Sequence, residues 1–224
     1  MASAIAAVAD HPVELVCGGR TDAGVHAAGQ VVHFQARVTR SARAWVLGTN
    51  AHLDRKISVS WARPVPDFFH ARFSALRRHY RYTIFNRSAR SALYDGRAAW
   101  VQAPLDAERM HDGGQYLIGE HDFSAFRAAE CQSRSPIRRL DRLQVTREGH
   151  LVHIDVSANA FLHHMVRNIA GLLIEVGRGV RPVTDVRLLL EGRDRRRNAP
   201  TADPEGLSLR RIDYPAAFRL PDPV

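Results

Sequence analysis

Alternation of apolar and polar residues predicts β-strands at several places along the chain. In the segment 77–86, Tyr80, Tyr82 and Ile84 fall on one face because side chains alternate along a strand. Aromatic and β-branched residues also favour strands. Polar turn residues around Glu148 separate two such runs and predict an antiparallel hairpin. The predicted strands cover residues 13–17, 30–35, 57–65, 77–86, 140–146, 151–157 and 210–214.

Apolar residues at helical spacing predict helices between these strands. The clearest case is the amphipathic segment 162–176, for which Asn159 is a candidate N-cap. Ser41 is a candidate N-cap for another helix, which extends towards His52. Strands and helices mixed in this way predict an α+β protein, with a boundary between two halves near Ala103. The predicted helices cover residues 3–9, 41–52, 105–119, 162–176 and 184–190.

Length and composition are typical of a globular protein. The chain has 224 residues, of which 45% are hydrophobic and 25% are charged. No apolar run reaches the length that a membrane span requires, so we expect no membrane partner. Cys17 and Cys131 are the only cysteines, which argues against a disulfide scaffold and favours a reducing compartment.

The charge balance changes this picture, because it favours a polyanionic partner. Lys and Arg number 32 against 23 Asp and Glu, a net charge of +9 and a pI near 10.6. Only Lys56 is a lysine; the other basic residues are arginines, whose planar donors suit phosphate. The arginine bias is explained equally well by genome composition. The cluster 134–142 contains four arginines that fit either a phosphate-contacting edge or a solvated face.

One acidic residue stands out as a candidate for chemistry. Asp22 lies in a glycine-rich loop between the predicted strands 13–17 and 30–35, two residues after Arg20. A carboxylate fixed between strands beside a guanidinium suits nucleophilic or acid–base catalysis. The alternative is that Asp22 only closes a turn, since Asp and Gly dominate turns.

Four separate motifs resemble those of the tRNA pseudouridine synthase A family, in the family's order. Residues 19–34 read GRTDAGVHAAGQVVHF, and residues 69–75 read FHARFSA before a Tyr-x-Tyr strand. Residues 161–169 read FLHHMVRNI, and residues 199–209 carry AP followed by EGLSL.

This resemblance implies an α+β pseudouridine synthase fold in which two sheet-plus-helix halves, 1–103 and 104–224, form one long, mainly antiparallel sheet with a central cleft. The first half carries the Asp22 loop and the Tyr80 strand, and the second carries the Arg167 helix and the EGLSL strand. The implied activity is that of an isomerase (an intramolecular transferase) converting uridine to pseudouridine at positions 38–40 of the tRNA anticodon stem-loop. The family also implies a cytoplasmic homodimer that binds the anticodon arm of tRNA without a cofactor.

Residue roles follow from the same resemblance. Asp22 is the catalytic residue, attacking the sugar or the base or abstracting a sugar proton; the sequence leaves these alternatives open. Tyr80 stacks against the target base and relays a proton, and Arg167 forms an ion pair with Asp22. The candidate substrate-binding residues are Arg20, His26, Tyr80, His163 and Leu207.

Two expectations concern what the chain lacks. The pair His163-His164 has no HExxH context, no His pair at i,i+4 in its own segment and no paired cysteines, so we expect no metal. No motif for a nucleotide cofactor occurs. The resemblance also implies that roughly forty residues of the family precede the position of Met1. The alternative function is therefore a truncated, catalytically inactive RNA-binding remnant with the same α+β fold.

Overall fold

The sheet and helices of the chain confirm the predicted α+β class with a mainly antiparallel sheet. The computed structural model describes residues 1–221. No helix in that stretch combines the length and apolar character needed to cross a bilayer. The helices are α1 (Ala2–Ala9), α2 (Ala42–Ala51), α3 (Ala107–Gln115), α4 (Met165–Gly177) and α5 (Asp185–Gly192). The strands are β1 (Val16–Cys17), β2 (His26–Ala27), β3 (Val32–His33), β4 (Arg77–Asn86), β5 (Ala99–Val101), β6 (Gly119–Asp122), β7 (Ile137–Glu148), β8 (Leu151–Ala158) and β9 (Leu207–Asp213).

The larger of two compact units, residues 21–29 and 77–211, is built on one sheet with the strand order β2-β9-β4-β8-β7-β6. β4 pairs antiparallel with β8, which pairs antiparallel with β7, and β7 with β6. β2 runs parallel to β9, and β5 runs parallel to the end of β4. The predicted hairpin is β7 and β8. Helices α3 and α4 pack on each other, and α3 also packs on β7, burying apolar side chains such as Leu140 and Ile169.

The smaller unit contains residues 1–20, 30–76 and 212–221. In it α1 packs on α2, and β1 pairs antiparallel with β3. The Ser41 hydroxyl accepts a hydrogen bond from Ala44 N at 3.1 Å, which confirms Ser41 as the N-cap of α2. The predicted division into 1–103 and 104–224 stays a prediction.

The predicted strand over residues 57–65 is wrong, because that segment forms no strand in the structure. Its backbone is bound by a side chain. Asn50 Nδ2 donates to Val59 O at 2.9 Å, and Asn50 Oδ1 accepts from Val59 N at 2.7 Å. An amide side chain thus takes the two backbone groups that a neighbouring strand would otherwise bind.

Two helix boundaries also differ from prediction. Helix α4 begins at Met165, and Asn159 does not cap it, since Asn159 Oδ1 accepts from Ala160 N at 2.8 Å and Arg139 N at 3.1 Å. Helix α3 ends at Gln115, and Gly119, where the predicted helix ends, instead begins strand β6. In both cases the residues bind strand β7 instead of continuing or capping a helix. Asn159 binds Arg139 of β7, and residues 119–122 pair with β7 as strand β6.

Candidate active site

Asp22 lies in a loop that is anchored on its C-terminal side. Ala28 N donates to Leu209 O at 2.8 Å, next to the parallel pairing of β2 with β9. Val25 N donates to Asp22 O at 3.0 Å and closes a turn around the carboxylate. Gly24 in that turn has φ +82°, a conformation that favours glycine. The local sequence therefore holds the Asp22 side chain at a defined place.

The residues that meet Asp22 come from the start of α4. His164 precedes the helix with φ 61° and makes the chain turn sharply, and its carbonyl accepts the first helical bond, from Asn168 N at 2.9 Å. Arg167 follows one turn later. Its Nε donates to Ala202 O at 2.8 Å, while Ala202 N donates to Arg167 O at 3.2 Å. Arg167 is thereby fixed before it reaches the carboxylate.

Three nitrogen atoms surround the Asp22 carboxylate. His163 Nε2 lies 3.3 Å from Oδ1, whereas His164 Nε2 and Arg167 Nη1 lie 3.2 Å and 3.3 Å from Oδ2. The Arg167 side chain is 13% exposed, but that of Asp22 remains 28% exposed. The carboxylate therefore accepts a hydrogen bond from Arg167, lies close to two imidazole nitrogens and remains partly exposed.

His164 is neutral at this site. Burial lowers the pKa of His164 below its usual 6.5, and the charges of His163 and Arg167 act in the same direction, although Asp22 opposes them. A neutral imidazole can donate through only one ring nitrogen. Since Nε2 faces a carboxylate oxygen, the proton of His164 belongs on Nε2.

The Tyr80 side chain, on β4, is close enough to Asp22 to be affected by its charge. Its side chain is buried, and the ring of Phe161 meets it edge-on at 5.1 Å between centroids. Burial raises the pKa of Tyr80 to about 12, against the effect of Arg78 and together with that of Asp22. The phenol is therefore fully protonated at neutral pH and sits within range of the Asp22 charge.

Of the residues predicted for the site, the structure brings Asp22, His163 and Arg167 together. His26 is exposed on β2, where its Nε2 lies 2.7 Å from the carbonyl oxygen of Gly96. Leu207 is buried at the first residue of β9. Arg20 is exposed in the smaller unit. The roles of all these residues stay predictions.

Sequence reasoning did not include His164 and Phe161 among the site residues. A signal for His164 existed, because residues 164 and 167 are three apart and share a helix face with each other. Nothing comparable marked Phe161, whose contact with Tyr80 joins the segment before α4 to a distant strand.

Asp22, His163 and His164 also form the one group of metal-ligating side chains found within residues 1–221. One ligand atom from each lies within 4.8 Å of the others. The expectation of no metal rested on spacing within the His163-His164 segment, which carries no information about a carboxylate so far away in the sequence.

Known proteins resemble this chain over nearly its whole length. A family model described as tRNA pseudouridine synthase matches residues 114–215. A protein of Vibrio vulnificus (strain YJ016) named tRNA pseudouridine synthase A is 54% identical over 218 residues, covering 97% of this chain and 83% of the relative. Proteins of the same name from Actinobacillus succinogenes and Pseudomonas aeruginosa are 53% and 50% identical, and this chain spans 83% and 77% of their lengths.

Proposed function

The chain belongs to the tRNA pseudouridine synthase A family, and on that premise we propose that it isomerises uridine to pseudouridine at positions 38–40 of the tRNA anticodon stem-loop. The names of the relatives support tRNA pseudouridine synthesis; the position within the tRNA is the finer part of the proposal. The observation that carries it is the partly exposed Asp22 carboxylate, which has Arg167 and two histidine nitrogens within 3.3 Å.

Asp22 is the proposed catalytic residue. In the reaction the C1′–N1 bond breaks and a C1′–C5 bond forms, after which C5 loses a proton and N1 gains one. An isomerisation needs no redox partner and no second substrate. Asp22 attacks the sugar or base or removes a sugar proton as the first bond breaks. Its donors keep one carboxylate orientation, which places the reacting oxygen before the substrate arrives.

Arg167 and the two histidines are proposed to position that carboxylate. Arg167 contacts Oδ2, while His163 contacts Oδ1. Fixing both oxygens leaves little freedom for the side chain to rotate away. Arg167 also supplies a charge that the neutral His164 does not.

Tyr80 is proposed to hold the detached uracil by stacking and to hand on a proton through its hydroxyl. Because its pKa is raised to about 12, the hydroxyl acts as a donor or a relay and not as a free phenolate. An aromatic face holds a base irrespective of its rotation, which suits a uracil that must turn before it rejoins the sugar.

Reaching a uridine inside a stem requires base flipping, which costs a few kcal/mol. Arg20 is proposed to fill the vacated space or bind a phosphate, and Leu207 to line the base pocket, with His26 and His163 as further substrate contacts. The net charge of +9 favours the anticodon arm as a polyanionic partner. We further propose that the protein acts as a homodimer and that it is cytoplasmic, a location that its two free cysteines support.

Replacement of the carboxylate by its amide tests the proposal. Asp22→Asn should lower pseudouridine formation by about 10³-fold or more, because an amide is neither a nucleophile nor a base at neutral pH. Binding of the same tRNA should change by less than about threefold, since the charge contacts that dominate affinity are elsewhere. The measurement is pseudouridine mapping on unmodified tRNA, with filter binding alongside.

Asp112→Asn is the matched control, as Asp112 is exposed on α3. It should retain the activity of the unchanged protein. Pseudouridine formation by Asp22→Asn would overturn the catalytic assignment. Pseudouridine at sites outside positions 38–40 would overturn the finer assignment alone, and failure of the unchanged protein to form pseudouridine would favour the inactive RNA-binding alternative.

A further inference from the structure

The nitrogen and oxygen atoms around Asp22 have the arrangement of a metal site. His163 Nε2 is 3.3 Å from Asp22 Oδ1, and His164 Nε2 is 3.2 Å from Oδ2. Tetrahedral zinc binds nitrogen and carboxylate oxygen at about 2.0–2.2 Å, which separates neighbouring ligand atoms by roughly 3.3 Å. The two observed separations are close to this value, and one ligand atom from each of the three side chains lies within 4.8 Å of the others.

The two imidazoles are also oriented for a shared ligand. Their ring centroids are 4.0 Å apart at an interplanar angle of 37°, and the two Nε2 atoms lie 3.3 Å and 3.2 Å from oxygens of the same carboxylate. Two imidazoles and one carboxylate are a common donor set for zinc, leaving one position for solvent or substrate.

We propose that Asp22, His163 and His164 bind one zinc-type transition-metal ion and that this ion inhibits the enzyme. On binding, each imidazole presents its Nε2 lone pair, so the ring proton moves to Nδ1. The ion takes the carboxylate oxygen that the reaction needs. Only the inhibitory half of the inference rests on the proposed function; the binding half rests on the side-chain geometry.

Arg167 limits the strength of this site. Its Nη1 lies 3.3 Å from Oδ2, so a cation near that oxygen meets an existing positive charge. Oδ1, which faces His163, is the better oxygen for the ion. The site is therefore expected to favour ions that bind imidazole strongly, such as Zn²⁺ and Co²⁺, over Mg²⁺, which prefers oxygen ligands.

Titration of the purified, metal-free full chain with CoCl₂ and ZnCl₂ tests binding. Co²⁺ should give the visible absorption of a tetrahedral site, and Zn²⁺ should displace it. His163→Asn and His164→Asn should each weaken Zn²⁺ binding at this site by at least about tenfold. Asn is chosen at 164 because it tolerates the positive φ of that position.

His52→Asn is the matched control, because the chain has 12 histidines and others will bind some metal. His52 is exposed at the end of α2, and its replacement should leave the Co²⁺ spectrum unchanged. Circular dichroism checks that each variant is folded. An identical Co²⁺ spectrum and Zn²⁺ affinity in the two site variants and the control would overturn the proposal.

The inhibitory half is tested on pseudouridine formation by the unchanged enzyme. ZnCl₂ should lower the rate at least about tenfold, excess EDTA should restore it, and MgCl₂ should have no such effect. The enzyme could stay fully active at a Zn²⁺ concentration that displaces all Co²⁺ from this site. That result would overturn the proposal of inhibition, but not the proposal of metal binding. Absence of activity before metal is added would instead count against the proposed function and leave the spectroscopic result to decide binding.

Discussion

Tyr80 and Tyr82 lie two residues apart on the same face of β4, yet their surroundings differ. Tyr82 is fully buried and donates its hydroxyl to Asp203 O at 2.9 Å. Tyr80 is 7% exposed, and among the described residues none is found to accept a hydrogen bond from its hydroxyl. The strand pattern treats both as core residues. Their hydrogen bonding distinguishes them, because the Tyr82 hydroxyl bonds the backbone of Asp203 whereas no such bond is found for Tyr80 within residues 1–221.

Removing the two hydroxyls should have different consequences: a loss of activity at Tyr80 and a loss of stability at Tyr82. The loss of activity is the largest effect that we expect from this comparison. Tyr80→Phe should lower the rate of pseudouridine formation by about 10²–10⁴-fold, the range for loss of a positioned proton donor or relay. Its free energy of unfolding should stay nearly unchanged. Tyr82→Phe should cost about 1–3 kcal/mol of stability, because it leaves the carbonyl of Asp203 without its donor. Single-turnover kinetics and urea unfolding measure the two quantities.

Each variant serves as the control for the other. A loss of stability in Tyr80→Phe equal to that in Tyr82→Phe would mean that both hydroxyls are structural. A folded Tyr80→Phe with full turnover would restrict Tyr80 to stacking, because the phenylalanine ring preserves the aromatic face.

Alkaline pH should destabilise the protein, because the buried tyrosine hydroxyls ionise more readily in the unfolded chain. Burial raises the pKa of Tyr80 to about 12 and raises that of Tyr82 as well. The pKa of Tyr80 is about 12 in the folded protein and 10 in the unfolded chain. Its contribution to stability is therefore complete below pH 10 and is lost as the pH rises from 10 through 12. By pH 11 the Tyr80 contribution should have fallen by about 1.4 kcal/mol.

Urea unfolding between pH 9 and pH 11, with tyrosinate absorbance followed in parallel, measures this loss. Tyr80→Phe should lose less stability over that range than the unchanged protein. Tyr94→Phe is the matched control, because Tyr94 is partly exposed. Equal pH dependence of Tyr80→Phe and the unchanged protein would contradict the burial of an ionisable hydroxyl at position 80.

The sequence predicted elements well where local pattern and long-range pairing agree. Strand β4 and helix α2 illustrate this, since the alternation in β4 matches its burial and Ser41 caps α2 as expected. The prediction was wrong for residues 57–65, where Asn50 binds the backbone of Val59. No period-2 pattern records such a side-chain bond.

The candidate site was harder to predict from residues alone. Asp22 and Arg167 are 145 positions apart, and only the family resemblance suggested that they meet. The sharp turn at His164 was not predicted, because only a few per cent of non-glycine residues adopt positive φ. That turn brings both histidines to Asp22, which explains why spacing arguments did not find this cluster of side chains.

The packing around the structural tyrosine, Tyr82, is tested through Gly206. A Cβ at that position would lie 2.7 Å from Tyr82 Cζ and 2.9 Å from Thr83 O, so Gly206→Ala should destabilise the protein by about 1–3 kcal/mol. Gly192→Ala is the matched control, since its nearest neighbour is the end of the Arg197 side chain at 3.9 Å. Urea unfolding should show little change for the control.

Combining Gly206→Ala with a change at either tyrosine shows which tyrosine causes the loss of stability. In a Tyr82→Leu background the ring atoms that meet the new methyl group are gone, so Gly206→Ala should cost about 1 kcal/mol less than in the unchanged protein. A Tyr80→Leu background should give no such relief, because Tyr80 is not among the nearest atoms to that Cβ. Equal coupling to both tyrosines would mean that β4 moves as a whole, and the distinction between a structural and a ligand-facing tyrosine would then fail.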